Sequence, residues 1–269
     1  MSELLRVERT GPNGVVARVT LARPEVRNAF NAELIGALRG AFTELAAEPA
    51  HALRAVVLAG DGPAFSAGAD IAWQRAAMAL SLDDNRADAA RLQAMLAAID
   101  TCPAPVVARV QGAALGGGMG LCAVADVVLA AADARFGFTE VKLGILPAII
   151  SPFVLARIGE GHARALFATG ERFDAERALR IGLVHEVLAD ERELDDRVEA
   201  IVAELLSSGP SAVRAAKSLL QARREITAEA FAAEALDVAA RQRVSDEGQE
   251  GLGAFLDKRA PTWRERDGA

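Results

Sequence analysis

The sequence predicts an α/β protein with a helical C-terminal part, and three observations carry that prediction. Up to about residue 131, short apolar runs alternate with turns and amphipathic stretches, the recurring order of strand, turn, helix and strand. Beyond about Gly159 the strand signals almost vanish and helical periodicity takes over. The 269 residues are 52% hydrophobic and 25% charged, enough to bury a substantial core in one large domain or one domain plus an appendage. The expected division is an α/β core over 1–195 and a helical C-terminal region over 196–269.

Residues 5–10 and 15–22 read as paired strands around the turn Gly11-Pro-Asn-Gly14. Residues 31–45 have helical periodicity, 55–59 form a short buried strand, and Gly60-Asp-Gly-Pro63 is a turn. A polar helix is expected around 83–99, then a strand at 106–110. The glycine-rich stretch Leu115-Gly-Gly-Gly-Met-Gly-Leu-Cys122 opens a short helix over 117–124, and 126–131 is the next strand. In the C-terminal part, 162–169, 174–181, 194–206, 211–223 and 228–243 read as helices, with Gly182 and Gly209 as stops.

Composition narrows the function classes. A net charge of −7 supplies no bulk basic field for nucleic acid or an anionic membrane, so a polyanionic ligand must be met by a few local Arg or Lys residues. Cys102 and Cys122 stand in apolar surroundings without metal-ligand spacing, which suits a reducing cytoplasm. The start MSELLRVERTG is too polar for a secretory signal. The longest uncharged run, between Arg109 and Asp126, is too short and too glycine-rich to span a bilayer. His51, His162 and His185 form no metal motif, and no metal is expected.

The glycine run follows a strand and opens a helix, where unpaired N–H groups and the positive end of the dipole are exposed. Glycines let another atom approach that backbone closely, and tight packing of helix on strand is the plainer reading. The spacing fits neither G-x-G-x-x-G, because position 121 is Leu, nor a G-x-x-x-x-G-K-[ST] loop. A second segment, Phe65-Ser-Ala-Gly-Ala-Asp-Ile71, also runs from a turn into a helix start, with Asp70 as a first-turn acid. Two backbone donors converging on one point would make an oxyanion hole. Ser66 lacks a G-x-S-x-G elbow and reads as a structural serine rather than an acyl nucleophile.

Together with Leu21-Ala-Arg-Pro-Glu-Val-Arg-Asn-Ala-Phe30 and the ending Phe255-Leu-Asp-Lys-Arg259, these segments resemble the crotonase family of enoyl-CoA hydratases and isomerases. The resemblance covers nearly the whole chain. It implies a spiral of ββα units with a helical C-terminal trimerisation region, assembled as a homotrimer or a dimer of trimers. It implies oxyanion donors at the N–H groups of Ala69 and Gly117, and thioester or CoA contacts at Ala67, Ala69, Asp70 and Ile71. Of the basic residues Arg23, Arg27, Lys258 and Arg259, it points to Arg27 and Lys258 for the CoA phosphates. Phe255 and Lys258 would reach the nucleotide end of CoA on a neighbouring subunit. No cofactor is expected beyond the coenzyme A carried by the substrate.

The family's hydratases typically carry two glutamates. The later one matches Glu140, in Phe136-Gly-Phe-Thr-Glu140, while the earlier position is Gly120. Where ordinary members have a P-G-x-G-G-type loop, this chain has Leu146-Pro-Ala-Ile-Ile-Ser-Pro-Phe153. The pairing looks like the bacterial branch of methylglutaconyl-CoA and isohexenylglutaconyl-CoA hydratases, which act on branched acyl groups bearing a carboxylate. The missing side chain at Gly120 would make room for such a substrate. Water addition with Glu140 as general acid/base is the first expectation. An isomerase shifting the double bond, or an acyl-CoA-binding member without catalysis, are its rivals.

Overall fold

The computed structural model describes residues 4–265, so the first three residues of the polar start and the last four of the expected C-terminal region lie outside the described residues. Strands β1 (Leu5–Thr10) and β2 (Val16–Leu21) form an antiparallel hairpin. There follow α1 (Ala32–Ala46), β3 (Ala55–Gly60), α2 (Ile71–Ala77), α3 (Leu82–Asp100), β4 (Val106–Val110) and β5 (Ala113–Leu115). Next come α4 (Gly117–Val124), β6 (Val127–Ala131), β7 (Arg135–Gly137), α5 (Ser151–Thr169), β8 (Arg172–Asp174), α6 (Ala175–Arg180) and β9 (Glu186–Leu188). The chain continues as helices α7 (Glu191–Ser207), α8 (Pro210–Ala222), α9 (Ala228–Val244), α10 (Asp246–Leu256) and α11 (Thr262–Glu265).

The larger sheet has the order β1-β2-β3-β4-β6-β9, and every pairing after the first hairpin is parallel. Parallel strands need crossovers, and these cover both faces of the sheet. The run Ala55-Val-Val-Leu58 is therefore apolar throughout. Val56 and Leu58 join the main core, whereas Ala55 and Val57 meet Leu194, Val198, Val202 and Leu206 of α7. Helix α1 buries Leu34, Ile35, Leu38, Phe42 and Leu45, one apolar stripe at helical spacing, in the same cluster as Met95, Leu96 and Ile99 of α3. Asn31 caps α1 by accepting from the N–H of Leu34 at 2.9 Å, a contact worth about 1 kcal/mol. The smaller sheet, β5-β7-β8, packs Phe136 against Phe173.

Three expectations are corrected. Strands persist beyond Gly159 as β8 and β9, three residues each, too short to show an alternating pattern and held by pairing with β7 and β6. Helix α10 was not expected. Gly248, Gly251 and Gly253 each cost about 1 kcal/mol relative to Ala in a helix. It forms with Ser245 as its cap, accepting from Gly248 N–H at 3.0 Å, and with Gly251 close against the Trp263 ring. The division after residue 195 falls inside α7, whose apolar face belongs to the sheet, so α7 packs with the core.

Helix α8 ties the C-terminal helices to the core. Lys217 Nζ donates to Asp126 at 2.6 Å, Arg224 to Asp100 at 2.7 Å, and Arg214 to the carbonyls of Glu48 and Leu53 at 2.8 Å. The buried guanidinium of Arg54 donates to the carbonyl of Ser208 at 2.7 Å, just ahead of α8. Among the described residues no helix is long and apolar enough to cross a membrane. Cys102 and Cys122 are free and buried.

Candidate active site

Two loops are stitched side by side where the glycine-rich stretch begins. Phe65 N–H donates to Gln111 O, Ser66 N–H to Ala113 O and Leu115 N–H to Ser66 O, each at 3.0 Å. On the other flank, Phe30 N–H donates to Gly68 O at 2.6 Å and Asp70 N–H to Phe30 O at 2.8 Å. These bonds step around the N–H of Ala69, which has no acceptor among the described residues, and the N–H of Gly117 at the start of α4 has none either. Ala69 and Gly117 are half-buried, so both open backbone donors are within reach of a ligand.

The glycines permit this approach. Gly68 has φ +89°, and a Cβ there would lie 2.8 Å from Leu115 O and 3.4 Å from Gly117 N. Gly116 has φ +50°, a conformation that L side chains rarely adopt. A Cβ on Gly117 would meet the Phe30 ring at 2.7 Å, and one on Gly118 the Ser66 carbonyl at 2.6 Å. The Ser66 hydroxyl is buried and donates to Asn28 O at 3.0 Å, a structural role as expected.

Glu140 arrives from the smaller sheet. Leu115 pairs with Gly137, and Gly116 N–H donates to Gly137 O at 3.0 Å, which sets the 3-10 turn Thr139–Leu143 over α4. A Cβ on Gly116 would lie 3.5 Å from Glu140 Oε1, so the carboxylate sits one residue from the Gly117 donor. Its Oε2 is buried without a hydrogen-bond partner. Burial pushes the Glu140 carboxyl above the usual range, the direction that suits proton exchange near neutrality.

A cleft of about 850 Å³ runs beside these loops, lined among others by Arg27, Ala67, Ala69, Asp70, Ile71 and Arg75. Arg27, Ala67, Ala69, Asp70 and Ile71 were expected in the site, and the fold brings them to one wall. Phe255 and Lys258 are not on that wall; they lie at the end of α10, where Phe255 is 80% exposed. Arg23 is not a free phosphate ligand. It donates to Asp70 at 2.9 Å and to Ala29 O at 2.6 Å, and its side chain is 11% exposed. Asp70 is likewise occupied, because its carboxylate also caps α2 through Ala72 N–H at 2.8 Å. Burial alone would raise the Asp70 carboxyl, but Arg23 and the two cap N–H groups outweigh it and hold the carboxyl below its ordinary value. Arg259 is bound by Glu250 through two contacts of 2.7 Å.

Residues 11–266 match the sequence model of the enoyl-CoA hydratase/isomerase family. The chain belongs to that family. It is 36% identical to a putative enoyl-CoA hydratase of Thermus thermophilus, over 92% of this chain and 97% of that one. It is 32% identical to the 2,3-dehydroadipyl-CoA hydratase of Escherichia coli, over 93% of this chain and 96% of the other. The solved structure of Pseudomonas aeruginosa AtuE superposes with a TM-score of 0.92 at 40% identity, covering 97% of this chain and 99% of AtuE. The fold is thus the crotonase-type α/β fold of the enoyl-CoA hydratase/isomerase family, with a helical C-terminal region.

Within that family setting, the expectation that Gly120 makes room for a larger substrate is overturned. A Cβ on Gly120 would lie 2.7 Å from Ile150 Cγ2 and 3.3 Å from both δ carbons of Leu96. The volume is already filled, by a residue of the unusual Pro147-Ala-Ile-Ile-Ser-Pro152 segment. Arg75 was missed. Ile71, Ala72, Arg75 and Ala76 recur at helical spacing along the cleft, a pattern present in the sequence once α2 is assigned as a helix.

Proposed function

We propose that this protein is an enoyl-CoA hydratase-like enzyme that adds water to a 2-enoyl-CoA thioester through an oxyanion-stabilised enolate, with Glu140 as its single proton-moving carboxylate. The observation that carries this reading is the pairing at the start of α4. Among the described residues, two backbone N–H groups lack acceptors there, at Ala69 and Gly117, beside a buried carboxylate oxygen that lacks a donor.

The chemistry follows from that pairing. Water loses a proton to Glu140 as its oxygen bonds to the β-carbon, and the alkene electrons move onto the thioester oxygen. The N–H groups of Ala69 and Gly117 favour that developing oxyanion over the neutral carbonyl. Glu140 then returns the proton to the α-carbon, which balances the addition. The reaction as written calls for no cofactor beyond the substrate's own coenzyme A. Arg27 and Arg75 on the cleft wall are the cations available to its phosphates.

The assembly completes the site in this reading. Phe255 and Lys258 stand away from their own cleft, and α9 and α10 expose Leu236, Val244, Leu252, Phe255 and Leu256. These support self-association; in this reading the chains form a homotrimer or dimer of trimers in the cytoplasm, with Phe255 and Lys258 reaching a neighbour's CoA. The branch acting on branched, carboxylate-bearing acyl groups is the finer proposal; it rests on Gly120 and the Pro147-Ala-Ile-Ile-Ser-Pro152 segment in the sequence, and the filled volume at Gly120 adds nothing to it.

A second reading has one observation in its favour. Gly120 leaves no second carboxylate, and a double-bond isomerase needs only one proton shuttle. A product-resolved screen of enoyl-CoA thioesters, crotonyl-CoA and 3-methylglutaconyl-CoA among them, decides between the two. A 3-hydroxyacyl-CoA supports hydration and a shifted alkene supports isomerisation. Tight binding without turnover across the panel would leave only a non-catalytic acyl-CoA binder.

A further inference from the structure

A polar pocket of about 390 Å³, distinct from the cleft, opens where the C-terminal end of α4 meets α5 and α8. His185 and Arg157 face each other in its wall. His185 Nδ1 accepts from the Val128 N–H at 2.9 Å, and His185 Nε2 stands 3.3 Å from Arg157 Nη1. A neutral imidazole has one N–H and one lone pair, whereas a backbone N–H and a guanidinium can only donate. In either tautomer, one of the two contacts sets N–H against N–H. Protonating the ring makes both contacts donor against donor.

Arg157 cannot simply turn away. Its Nε and Nη2 donate to the carbonyls of Ala123 and Ala125 at the end of α4, which leaves Nη1 facing the ring. The carboxylates of the pocket are already engaged. Asp126 accepts from Lys217 at 2.6 Å and from Val106 N–H at 2.7 Å, and Asp100 accepts from Arg224 at 2.7 Å. Arg157 has no carboxylate partner among the described residues. The other ionisable neighbours are Glu186, held by Arg197 at 2.6 Å, and the buried Cys122 thiol. What the geometry lacks is one acceptor shared by His185 and Arg157.

We propose that this pocket is a small-anion site, in which an oxygen of a phosphate or carboxylate ion accepts from His185 Nε2–H and Arg157 Nη1–H together. Charge-assisted bonds to an oxyanion are the strong kind, and with Lys217 paired to Asp126 and Arg224 to Asp100, Arg157 carries the pocket's unbalanced positive charge. Burial, and then the Arg157 charge, hold the His185 imidazole below its ordinary value; an anion between the two reverses the second influence.

The test uses the full chain with inorganic phosphate in one arm and acetate in the other, at ionic strength matched with chloride. Imidazole NMR signals of His51, His162 and His185 are titrated against pH, and thermal unfolding is recorded in parallel. An occupied site raises the His185 midpoint by about one pH unit or more, leaves the other two in place, and raises Tm with a saturable dose response. His185→Gln and Arg157→Lys each abolish the Tm response, and His185→Gln alone carries the test should Arg157→Lys fail to fold. Response to phosphate alone assigns a tetrahedral oxyanion, and response to acetate assigns a carboxylate; either upholds the site. An unmoved His185 midpoint in both arms, meaning that water suffices as acceptor, overturns it. So does a Tm gain that survives in His185→Gln.

Discussion

Ile150 Cγ2 occupies the place where a side chain at Gly120 would begin, with only 2.7 Å between it and a Cβ at that glycine. The two departures of this chain from the usual two-glutamate pattern are therefore one packing unit. A double-mutant cycle exposes it. Gly120→Ala gains helix propensity, about 1 kcal/mol, but overpacks a buried site at about 1–3 kcal/mol, so it should lower stability. In an Ile150→Ala background the same change fills a cavity and should raise stability. Urea unfolding curves of the four proteins measure this, and an effect of the same sign in both backgrounds would refute the coupling. Reinstating a carboxylate at position 120 accordingly takes two substitutions.

Glu140→Gln should leave folding and CoA affinity nearly unchanged while lowering turnover by roughly 10²-fold or more, as expected for a lost general acid/base. The wild-type kcat/KM should fall on acidification through a midpoint above the ordinary glutamate range, because burial raises the carboxyl and the reaction starts from its ionised form. The same raised carboxyl binds its proton more tightly folded than unfolded, so its contribution to stability declines as pH rises through that midpoint. Turnover of Glu140→Gln within a few-fold of wild type removes Glu140 from the mechanism.

Gly117→Pro deletes one of the two N–H groups proposed as oxyanion donors, and loss of such a donor costs about 2.7–4 kcal/mol of transition-state stabilisation. Its ring also crowds Phe30, so Gly117→Ala, which crowds the same ring but keeps the N–H, is the control. Turnover should fall far more in the Pro variant than in the Ala variant. Equal loss in both would assign the effect to packing.

Lys258→Ala should weaken binding of 3′-phosphorylated CoA more than of dephospho-CoA, with turnover at saturation little changed. The side chain is exposed, so the difference should shrink at high salt. A chain that is monomeric by light scattering yet fully active would show that no neighbour supplies this residue.

Cys122 should be inert to thiol reagents in the native protein. Burial pushes its thiol up to about 12 and raises that of Cys102 as well, so neither forms thiolate at neutral pH. Labelling should proceed only as fast as the protein opens; rapid modification of the folded chain at pH 8 contradicts the packing described.

Much of the candidate site's geometry was legible because it lies in backbone contacts that glycines announce. Gly68 and Gly117 mark where two segments touch, and Phe136-Gly-Phe-Thr-Glu140 marks the carboxylate. The space at Gly120 was not legible, since a glycine in a sequence does not say which neighbour fills its volume. That Arg23 takes up the Asp70 carboxylate was not legible either, because their ion pair spans 47 positions, a separation that no local pattern encodes. In the fold, the helix at 246–256 hid behind three glycines, and β8 and β9 are too short to carry a period.

The loop over residues 23–30 touches both ends of the problem. Arg27 lines the cleft proposed to hold the far part of the substrate, and its carbonyl accepts from Ala67 N–H at 2.9 Å. Three residues on, Phe30 holds Gly68 and Asp70 through its backbone and presses its ring against Gly117. In the proposed mechanism, one short span of chain therefore links the grip on the distant end of a substrate to the spacing of the two donors. Energy gained far from the reacting carbons can then be spent on the rate, and a clipped thioester should lose speed as well as affinity.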